Sequence, residues 1–155
     1  MYSEWMRNGA TQEAIKRFLR EAKLSSRLSL SMRQRELVIH RVTARCGCEY
    51  EWGVHMAFFG DRVGLTADQR RSITHGTPDD ACWSDDEAHL LRAVDELHDD
   101  ADVSDATWSA LASVMSQEQL LDLTLLAGWY HAISYAANAA RLAPETGSPR
   151  FADVL

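Results

Sequence analysis

The sequence predicts an all-α protein, and three observations support that fold class. Proline occurs at three of 155 positions, so that residues 1–77 and 79–143 contain none. Because proline in a helix interior costs about 3 kcal/mol relative to alanine, such stretches favour helices. Four Ser or Thr residues precede Gln or Glu by three positions, which is the spacing of a capping box at a helix start. Apolar residues also recur at helical spacing, as in Leu90, Ala93, Val94 and Leu97.

Three helices are predicted in the first half of the chain. Thr11 is a candidate N-cap for the first helix, and Ser31 with Gln34 begins the second with a capping box. Gly47 separates the second helix from a third. Gly64 ends that third helix, because glycine tolerates the left-handed conformation that follows many helices. The three helices are predicted over 12–24, 32–46 and 49–63.

Four further helices are predicted in the second half, each preceded by a hydroxyl residue that can act as an N-cap. These N-caps are Thr66, Ser84, Ser104 and Ser116, and capping-box partners stand three positions after all but Ser104. The four helices are predicted over 67–75, 85–100, 105–115 and 117–142. Residues 143–155 contain two of the three prolines and are predicted to form an extended tail.

The length and composition indicate one folded domain over 1–155. Hydrophobic residues make up 46% of the chain, which excludes a disordered protein, and no linker separates two domains. The net charge of −7 is unevenly divided, since residues 1–77 carry +5 and residues 78–155 carry −12. We therefore expect the two halves to face each other within the fold or across an oligomer. Basic residues alternate with acidic ones, so no nucleic-acid partner is expected.

The cysteines and one uncharged segment bear on location. Three cysteines cannot form a disulfide framework and no signal peptide opens the chain, so a cytoplasmic location is expected. Between Asp122 and Arg141, 18 residues carry no formal charge, which is the threshold for a membrane span. The segment contains His131, Ser134 and Asn138, however. We therefore predict a buried helix here and no membrane partner.

Residues whose side chains can take part in catalysis concentrate between positions 36 and 55. Cys48, Glu51 and His55 are spaced three and four positions apart, so they share one face of the third predicted helix. The helix dipole favours the thiolate of a cysteine at a helix N-terminus, whereas the charges of Glu49 and Glu51 oppose it. The sequence leaves open which effect dominates, and the alternative is that the cysteine is an unreactive packing residue.

Two further polar stripes are candidates for the same site. Glu36, His40 and Thr43 share a face of the helix before Gly47. A hairpin at that glycine would let Glu36 approach and orient His55. The last long helix carries another stripe, which either lines a pocket or has its polar groups satisfied in the core: His131, Tyr135 and Asn138.

The spacing of Glu36, Cys48 and His55 resembles that of the carboxymuconolactone decarboxylase and alkylhydroperoxidase D-like superfamily. The similarity covers about residues 28–142 and includes segments 35–38, 48–55 and 128–131 with Asn138. The resemblance implies an all-α fold, a proton relay of Glu and His, and a homo-oligomer, commonly a trimer or an assembly of trimers. No cofactor and no metal are expected.

At one position the sequence departs from the peroxidase branch of that superfamily. That branch reduces peroxides with a C-x-x-C pair, and here Glu51 stands where its second cysteine would be. Cys46 precedes Cys48 by two residues, so a disulfide between them would need Gly47 to reorient both side chains. The decarboxylase branch works by proton transfer and needs no redox pair, which suits the carboxylates and imidazole of this sequence.

The leading hypothesis is therefore an acid–base enzyme that acts on a small, anionic organic substrate as a decarboxylase, lyase, isomerase or lactone-opening enzyme. The candidate catalytic residues are Glu36, Cys48, Glu51 and His55, and the candidate substrate-pocket residues are His131, Tyr50 and Trp52. His55 is the expected acid and base, Glu36 its orienting partner and Glu51 a second acid or base.

Three alternatives remain open. One is a thiol-dependent peroxidase or disulfide reductase with Cys48 as its nucleophile. Another is a metal-dependent protein in which Glu36 and His40 on one helix join Glu51 and His55 on the next as ligands. The third is an oligomeric binding protein without catalytic activity.

Overall fold

The computed structural model describes residues 9–10, 12–13, 16–17 and 28–155. Over residues 28–155, six α-helices and a terminal 3-10 helix follow one another; the described residues between 9 and 17 are also helical, and no strand occurs among the described residues. The α-helices are α1 (Met32–Arg45), α2 (Glu49–Phe59), α3 (Ala67–His75), α4 (Asp85–Asp100), α5 (Asp105–Ala112) and α6 (Gln117–Ala140), and the 3-10 helix is Phe151–Val154. The all-α prediction is confirmed. The helix predicted over 12–24 lies largely outside the described residues.

Local capping chemistry sets the helix starts. All four predicted capping boxes form, at Ser31, Thr66, Ser84 and Ser116, and the Ser104 side chain accepts a hydrogen bond from the Thr107 backbone N–H. These caps satisfy backbone donors that a helix leaves unpaired at its N-terminus. The starts predicted for these five helices, at positions 32, 67, 85, 105 and 117, are confirmed.

Helix ends differ more from the predictions. The helix predicted over 49–63 ends at Phe59, because the chain leaves the helix through turns in which the Leu65 N–H donates to the Gly60 carbonyl. Gly64, with φ of +68°, completes the reversal. The helix predicted over 105–115 ends at Ala112, where the Ser113 N–H bonds back to Ala110 and Leu111.

Helix α1 lies at the centre of the molecule and contacts α2, α3, α4 and α6. Its residues 36–43 are all buried, including the polar Glu36, His40, Arg41 and Thr43. A helix that is buried on every side must pair its polar groups inside the protein. Arg41 does so by donating to both carboxylate oxygens of Asp95 on α4, at 2.7 and 2.6 Å, and to the Ile73 and Gly76 carbonyls of the α3 region.

The tail, residues 143–155, packs along α2. The Phe151 N–H donates to Oε1 of Glu49 at 2.9 Å, and Arg150 forms an ion pair with the same carboxylate at 2.7 Å. The Phe151 ring lies edge-on to Trp52, with centroids 5.1 Å apart. At Gly53 a Cβ would come within 2.7 Å of the Pro149 carbonyl oxygen, so only glycine admits the tail this close to the helix.

Helix α6 packs one face on α1 and leaves another exposed. Its buried face includes Leu123, Leu126, Ala127, Tyr130 and Ile133. Its exposed face carries an apolar row in which Leu121, Leu125 and Tyr135 are each more than half accessible. The expectation of a buried helix therefore holds for one side of α6 only. Among the described residues, no helix is long and apolar enough to cross a membrane.

Candidate active site

A short hairpin between α1 and α2 brings Glu36 to His55. Gly47 adopts φ of +61°, and the Cys48 N–H donates back to the Thr43 carbonyl at 2.8 Å, so the second helix returns alongside the first. The Glu36 carboxylate is completely buried, and its Oε2 lies 2.8 Å from Nδ1 of His55. This is the approach that the sequence predicted for the two side chains.

The hydrogen bonds around His55 define which ring nitrogen carries the proton. A carboxylate can only accept, so Nδ1 of neutral His55 donates to Glu36 and Nε2 keeps its lone pair. The Tyr130 hydroxyl lies 3.0 Å from Nε2 and donates to it. In this tautomer the imidazole is oriented from both sides, by Glu36 at Nδ1 and by Tyr130 at Nε2.

Sequence reasoning did not single out Tyr130. Its neighbour His131 was predicted to line the pocket as part of a polar stripe. Successive helix residues point about 100° apart, however, so Tyr130 and His131 face different surroundings. Tyr130 falls in the apolar row of Leu123, Leu126, Ala127 and Ile133, which is the face of α6 directed at the core. That periodicity was the signal that could have placed its hydroxyl in the interior.

Glu51 is the second carboxyl group of the site. It is buried one turn before His55 on α2, with Oε2 3.9 Å from Nε2 of His55. Burial raises the pKa of Glu51, and the nearby His55 only partly opposes that effect. Glu51 therefore keeps its proton to a higher pH than an ordinary glutamate does.

Glu36 is shifted in the opposite direction. Burial acts to raise its pKa, but the His55 hydrogen bond, the charges that His55 and His40 carry once acid protonates them, and the charge of Arg35 outweigh burial and lower the pKa overall. Arg35 donates to the other carboxylate oxygen at 2.8–2.9 Å. Two carboxyl groups whose environments separate their pKa values are the usual basis for separate acid and base roles.

His40 lies beneath the site and is completely buried. Its Nδ1 donates to the Glu36 backbone carbonyl at 2.6 Å, and its ring meets the His55 ring edge-on at 6.3 Å. Burial, with the charge of His55, lowers the pKa of His40 to about 4. His40 is therefore a neutral neighbour that adds no positive charge to the site at neutral pH.

Cys48 is the N-cap of α2, and its side chain is completely buried. Burial raises the pKa of the thiol, against the favourable effects of the Glu51 backbone N–H and the neighbouring Ser134 hydroxyl. The sequence left open whether the helix dipole or the charges of Glu49 and Glu51 control the thiol. In the structure, burial is the largest effect, and it raises the pKa of Cys48. Cys46 and Cys82 are also free thiols, and each is half-buried.

The three predicted pocket residues lie in different surroundings. Tyr50 donates its hydroxyl to Glu145 of the tail at 2.9 Å and lines a cavity of about 580 Å³ together with Val54 and Phe58. Trp52 is completely buried in the core beside Phe151. His131 contacts His98 of α4. The structure therefore does not gather Tyr50, Trp52 and His131 into one pocket.

Aromatic and cationic side chains cover the exposed edge of His55. Phe59, one turn further along α2, stacks on the imidazole with ring centroids 5.5 Å apart. The Arg35 guanidinium lies over the Phe59 ring at 5.2 Å while it pairs with Glu36. The guanidinium thus compensates the buried charge of Glu36 at the edge of the site. Sequence reasoning did not identify Arg35 or Phe59 as part of the site.

Comparison with known proteins identifies solved structures that share this fold. No protein-family model matches the sequence, and no curated protein is significantly similar to it. Among solved structures, one similar chain is a protein of unknown function from Agrobacterium tumefaciens for which a role in antioxidant defence as AhpD has been suggested. It is 16% identical, with a TM-score of 0.70, over 90% of this chain and 98% of that one.

A second similar structure is an uncharacterised peroxidase-related protein from Silicibacter sp. TM1040. It is 17% identical, with a TM-score of 0.67, over 93% of this chain and 75% of that one. Identities this low carry information about the fold alone. The helical arrangement that brings Glu36 to His55 is the alkylhydroperoxidase D-like fold, as the spacing of Glu36, Cys48 and His55 predicted.

Proposed function

We propose that this chain is a carboxymuconolactone decarboxylase-like enzyme that uses acid–base chemistry on a small, anionic organic substrate. The observation that carries the proposal is the set of contacts around His55. Glu36 holds Nδ1 at 2.8 Å, Tyr130 faces Nε2 at 3.0 Å, and Glu51 lies 3.9 Å from the same nitrogen. One imidazole thus stands between a carboxyl group whose pKa is lowered and a second whose pKa is raised, which supports general acid–base catalysis.

In the proposed reaction, Nε2 of His55 removes a proton from a carbon next to a carboxylate or lactone carbonyl. Glu36 stabilises the imidazolium that forms, because its carboxylate already accepts from Nδ1. The Tyr130 hydroxyl then turns to donate to the enolate oxygen, where negative charge develops. In an isomerisation, Glu51 then protonates a different carbon of the enolate and regains a proton from the His55 imidazolium, so that both groups return to their starting state. In a decarboxylation no carbon-bound proton is removed: carbon dioxide leaves, Glu51 protonates the carbon that keeps the electron pair, and Glu51 regains a proton from solvent.

The burial of Cys48 and the lack of a cysteine at position 51 favour this proposal over peroxide reduction. Glu51 occupies the place of a second redox cysteine, and Cys48 is completely buried. A peroxide must reach sulfur directly, because the thiolate attacks the peroxide oxygen as the O–O bond breaks and an alcohol leaves. Proton transfer at His55 needs no such access to Cys48.

Thiol-dependent peroxidase activity is the second candidate, and the peroxidase-related description of one similar structure favours it. In this scheme Cys48 becomes a sulfenic acid, and Cys46 displaces its hydroxyl as water to form a disulfide. An external dithiol then reduces that disulfide. The left-handed conformation of Gly47 between the two cysteines is the feature of this chain that supports such a pairing.

One paired experiment separates the two candidates. Carbon-bound deuterium incorporation from D₂O into a panel of small carboxylates and lactones is followed by NMR, and peroxide consumption with a dithiol is followed in parallel. We expect exchange with wild type and at least a hundredfold slower exchange with His55→Gln. Rapid peroxide consumption that disappears in Cys48→Ser, without any carbon-acid exchange, would reverse the order of the two candidates.

We also propose that the chain acts as a cytoplasmic homo-oligomer, a trimer or an assembly of trimers. The exposed apolar row on α6, with Leu121, Leu125 and Tyr135, supports contact with a second copy, since a stripe of this kind otherwise meets water. Light scattering with wild type and Leu125→Glu tests the assembly. A wild-type mass of 17.4 kDa across concentrations would contradict it.

A further inference from the structure

A cluster of one thiol and two imidazoles lies apart from Glu36, Glu51 and His55. It comprises Cys46 at the end of α1, His98 in the last turn of α4 and His131 in the middle of α6. One ligand atom from each lies within 4.8 Å of the others. Nδ1 of His98 is 2.8 Å from Nε2 of His131 and 3.9 Å from Sγ of Cys46.

The tautomer of His131 is fixed by the backbone. Its Nδ1 lies 3.0 Å from the Ala127 carbonyl, one turn earlier on α6. A carbonyl oxygen only accepts, so Nδ1 carries the proton and Nε2 directs its lone pair at the cluster. Histidines that bind metals are oriented in this way, with one nitrogen donating to a carbonyl and the other free for the ion.

Cys46 is also held in place by its backbone. The Asn138 side-chain amide on α6 donates to the Cys46 carbonyl at 2.9 Å, and the Cys46 N–H completes the last turn of α1 by donating to Val42. Three separate helices therefore deliver one sulfur and two nitrogens to a common point. All three side chains are half-buried, so an ion can enter from solvent.

We propose that Cys46, His98 and His131 form a binding site for a single thiophilic divalent cation of the zinc type. The ligand atoms are Sγ, Nδ1 and Nε2 respectively, and a solvent molecule completes the tetrahedron. Cys46 binds as thiolate, and its proton is released to solvent as the metal–sulfur bond forms. Nδ1 of His98, which donates to Nε2 of His131 in the metal-free protein, also gives up its proton, and His98 binds as the tautomer protonated at Nε2. Thiolate and imidazole ligands select such an ion over magnesium or calcium, which take oxygen ligands.

The ligand atoms lie near, but not at, the separations that a bound ion requires, since Sγ of Cys46 is 3.9 Å from Nδ1 of His98 and within 4.8 Å of Nε2 of His131. With zinc–nitrogen bonds of about 2.0–2.1 Å and a zinc–sulfur bond of about 2.3 Å, tetrahedral geometry separates two nitrogens by roughly 3.3 Å and a nitrogen from sulfur by roughly 3.6 Å. The two imidazoles must therefore move apart by about 0.5 Å from their hydrogen-bonded contact. The rotation of the half-buried His98 side chain can supply that movement.

Metal binding is measured on full-length protein that has been stripped with a chelator and titrated with Co²⁺ and then Zn²⁺. We expect one equivalent to bind, with a thiolate-to-cobalt charge-transfer band and the intense visible bands of a tetrahedral site. Cys46→Ser should abolish the charge-transfer band, and His98→Gln and His131→Gln should each weaken binding more than tenfold. Cys82→Ser and His89→Gln are the matched controls and should bind like wild type.

A measurement on wild type alone keeps the proposal testable if a variant fails to fold. Zn²⁺ should protect Cys46 from alkylation, and the half-buried Cys82 should remain reactive, as read by mass spectrometry of the two peptides. The proposal is overturned if Cys46 is not protected, if Co²⁺ binds without the charge-transfer band, or if the ion is lost in His55→Gln instead. Glu36, Glu51 and His55 are not among the ligands of the proposed metal site, so the test of metal binding does not depend on the proposed activity.

Discussion

The Tyr130 hydroxyl and Nε2 of His55 lie 3.0 Å apart, although 75 positions separate the two residues along the chain. This contact joins the core face of α6 to α2 at the His55 ring nitrogen that does not face Glu36. It means that His55 is oriented from two directions at once, by Glu36 at Nδ1 and by Tyr130 at Nε2. The proposed chemistry depends on both.

Tyr130→Phe should slow the proposed reaction more than it destabilises the fold. Removing one donor to a developing oxyanion typically lowers kcat by about a hundredfold. The lost hydrogen bond should reduce the free energy of unfolding by only about 1 kcal/mol. Turnover and urea denaturation of both proteins measure these effects, with the exposed Tyr135→Phe as control. Unchanged kcat in Tyr130→Phe would remove the hydroxyl from the mechanism.

His55→Gln should reduce kcat by at least a hundredfold, because glutamine keeps a hydrogen bond to Glu36 but cannot titrate near neutral pH. The residual activity should also lose the pH dependence contributed by the imidazole. Kinetics over a range of pH check both expectations. His89→Gln, a half-buried histidine on α4 outside the site, should leave the profile as it is, and a wild-type profile in His55→Gln would refute the assignment.

Glu51→Gln should become more stable relative to wild type as pH rises. Burial raises the pKa of Glu51 in the folded state, so the folded chain binds a proton that the unfolded chain releases. Wild type therefore loses stability as pH rises from the ordinary glutamate pKa through the folded value, and glutamine avoids that loss. The Tm difference between variant and wild type, followed from about pH 4 to 8, should grow.

Glu49→Gln is the matched control for this test, because its expected sign is opposite. The Arg150 hydrogen bond lowers the pKa of Glu49, so the wild-type contribution of this residue is present at neutral pH and fades on acidification. Glu49→Gln should therefore lose stability relative to wild type as pH rises. Parallel trends in the two variants would mean that burial at Glu51 does not control its protonation.

His40 should make the fold acid-sensitive. Its pKa is about 4 in the folded protein and 6.5 in the unfolded chain, so the unfolded state takes up a proton first as pH falls. Stability should fall through this window by at most about 3 kcal/mol from this residue. Urea denaturation at several pH values should show a shallower decline in His40→Gln, whatever its absolute stability. An equally steep decline would show that other groups cause the acid sensitivity.

Glu51→Cys tests the position at which this sequence departs from the peroxidase pattern. The substitution places a second sulfur three residues after Cys48 and removes a nearby carboxylate, which opposes thiolate formation. Dithiol-dependent peroxide consumption should rise at least tenfold over wild type, and the proton-transfer activity should fall. An efficient wild-type peroxidase that gains nothing from the substitution would point to Cys46 as the resolving thiol.

Helix starts were predictable because a cap is a local arrangement of four residues, as at Ser31 and Ser116. The Glu36–His55 contact was predictable as well, since a hairpin at Gly47 leaves few ways to pack two adjacent helices. The part played by Tyr130 was not predictable from its polarity, because its side chain is mostly apolar and its partner lies far away in sequence. The burial of Cys48 and Trp52 likewise depends on tertiary packing that neighbouring sequence does not encode.

The packing of the tail on α2 has a consequence for the order of folding. Helix α2 receives its outer contacts from residues about 100 positions later, through Tyr50 with Glu145 and Glu49 with Phe151. Contacts this distant in sequence form late, because closing so long a loop must precede them. On a growing chain, the helix that carries Glu51 and His55 therefore waits for residues 145–151 to be synthesised before it can pack against its final neighbours.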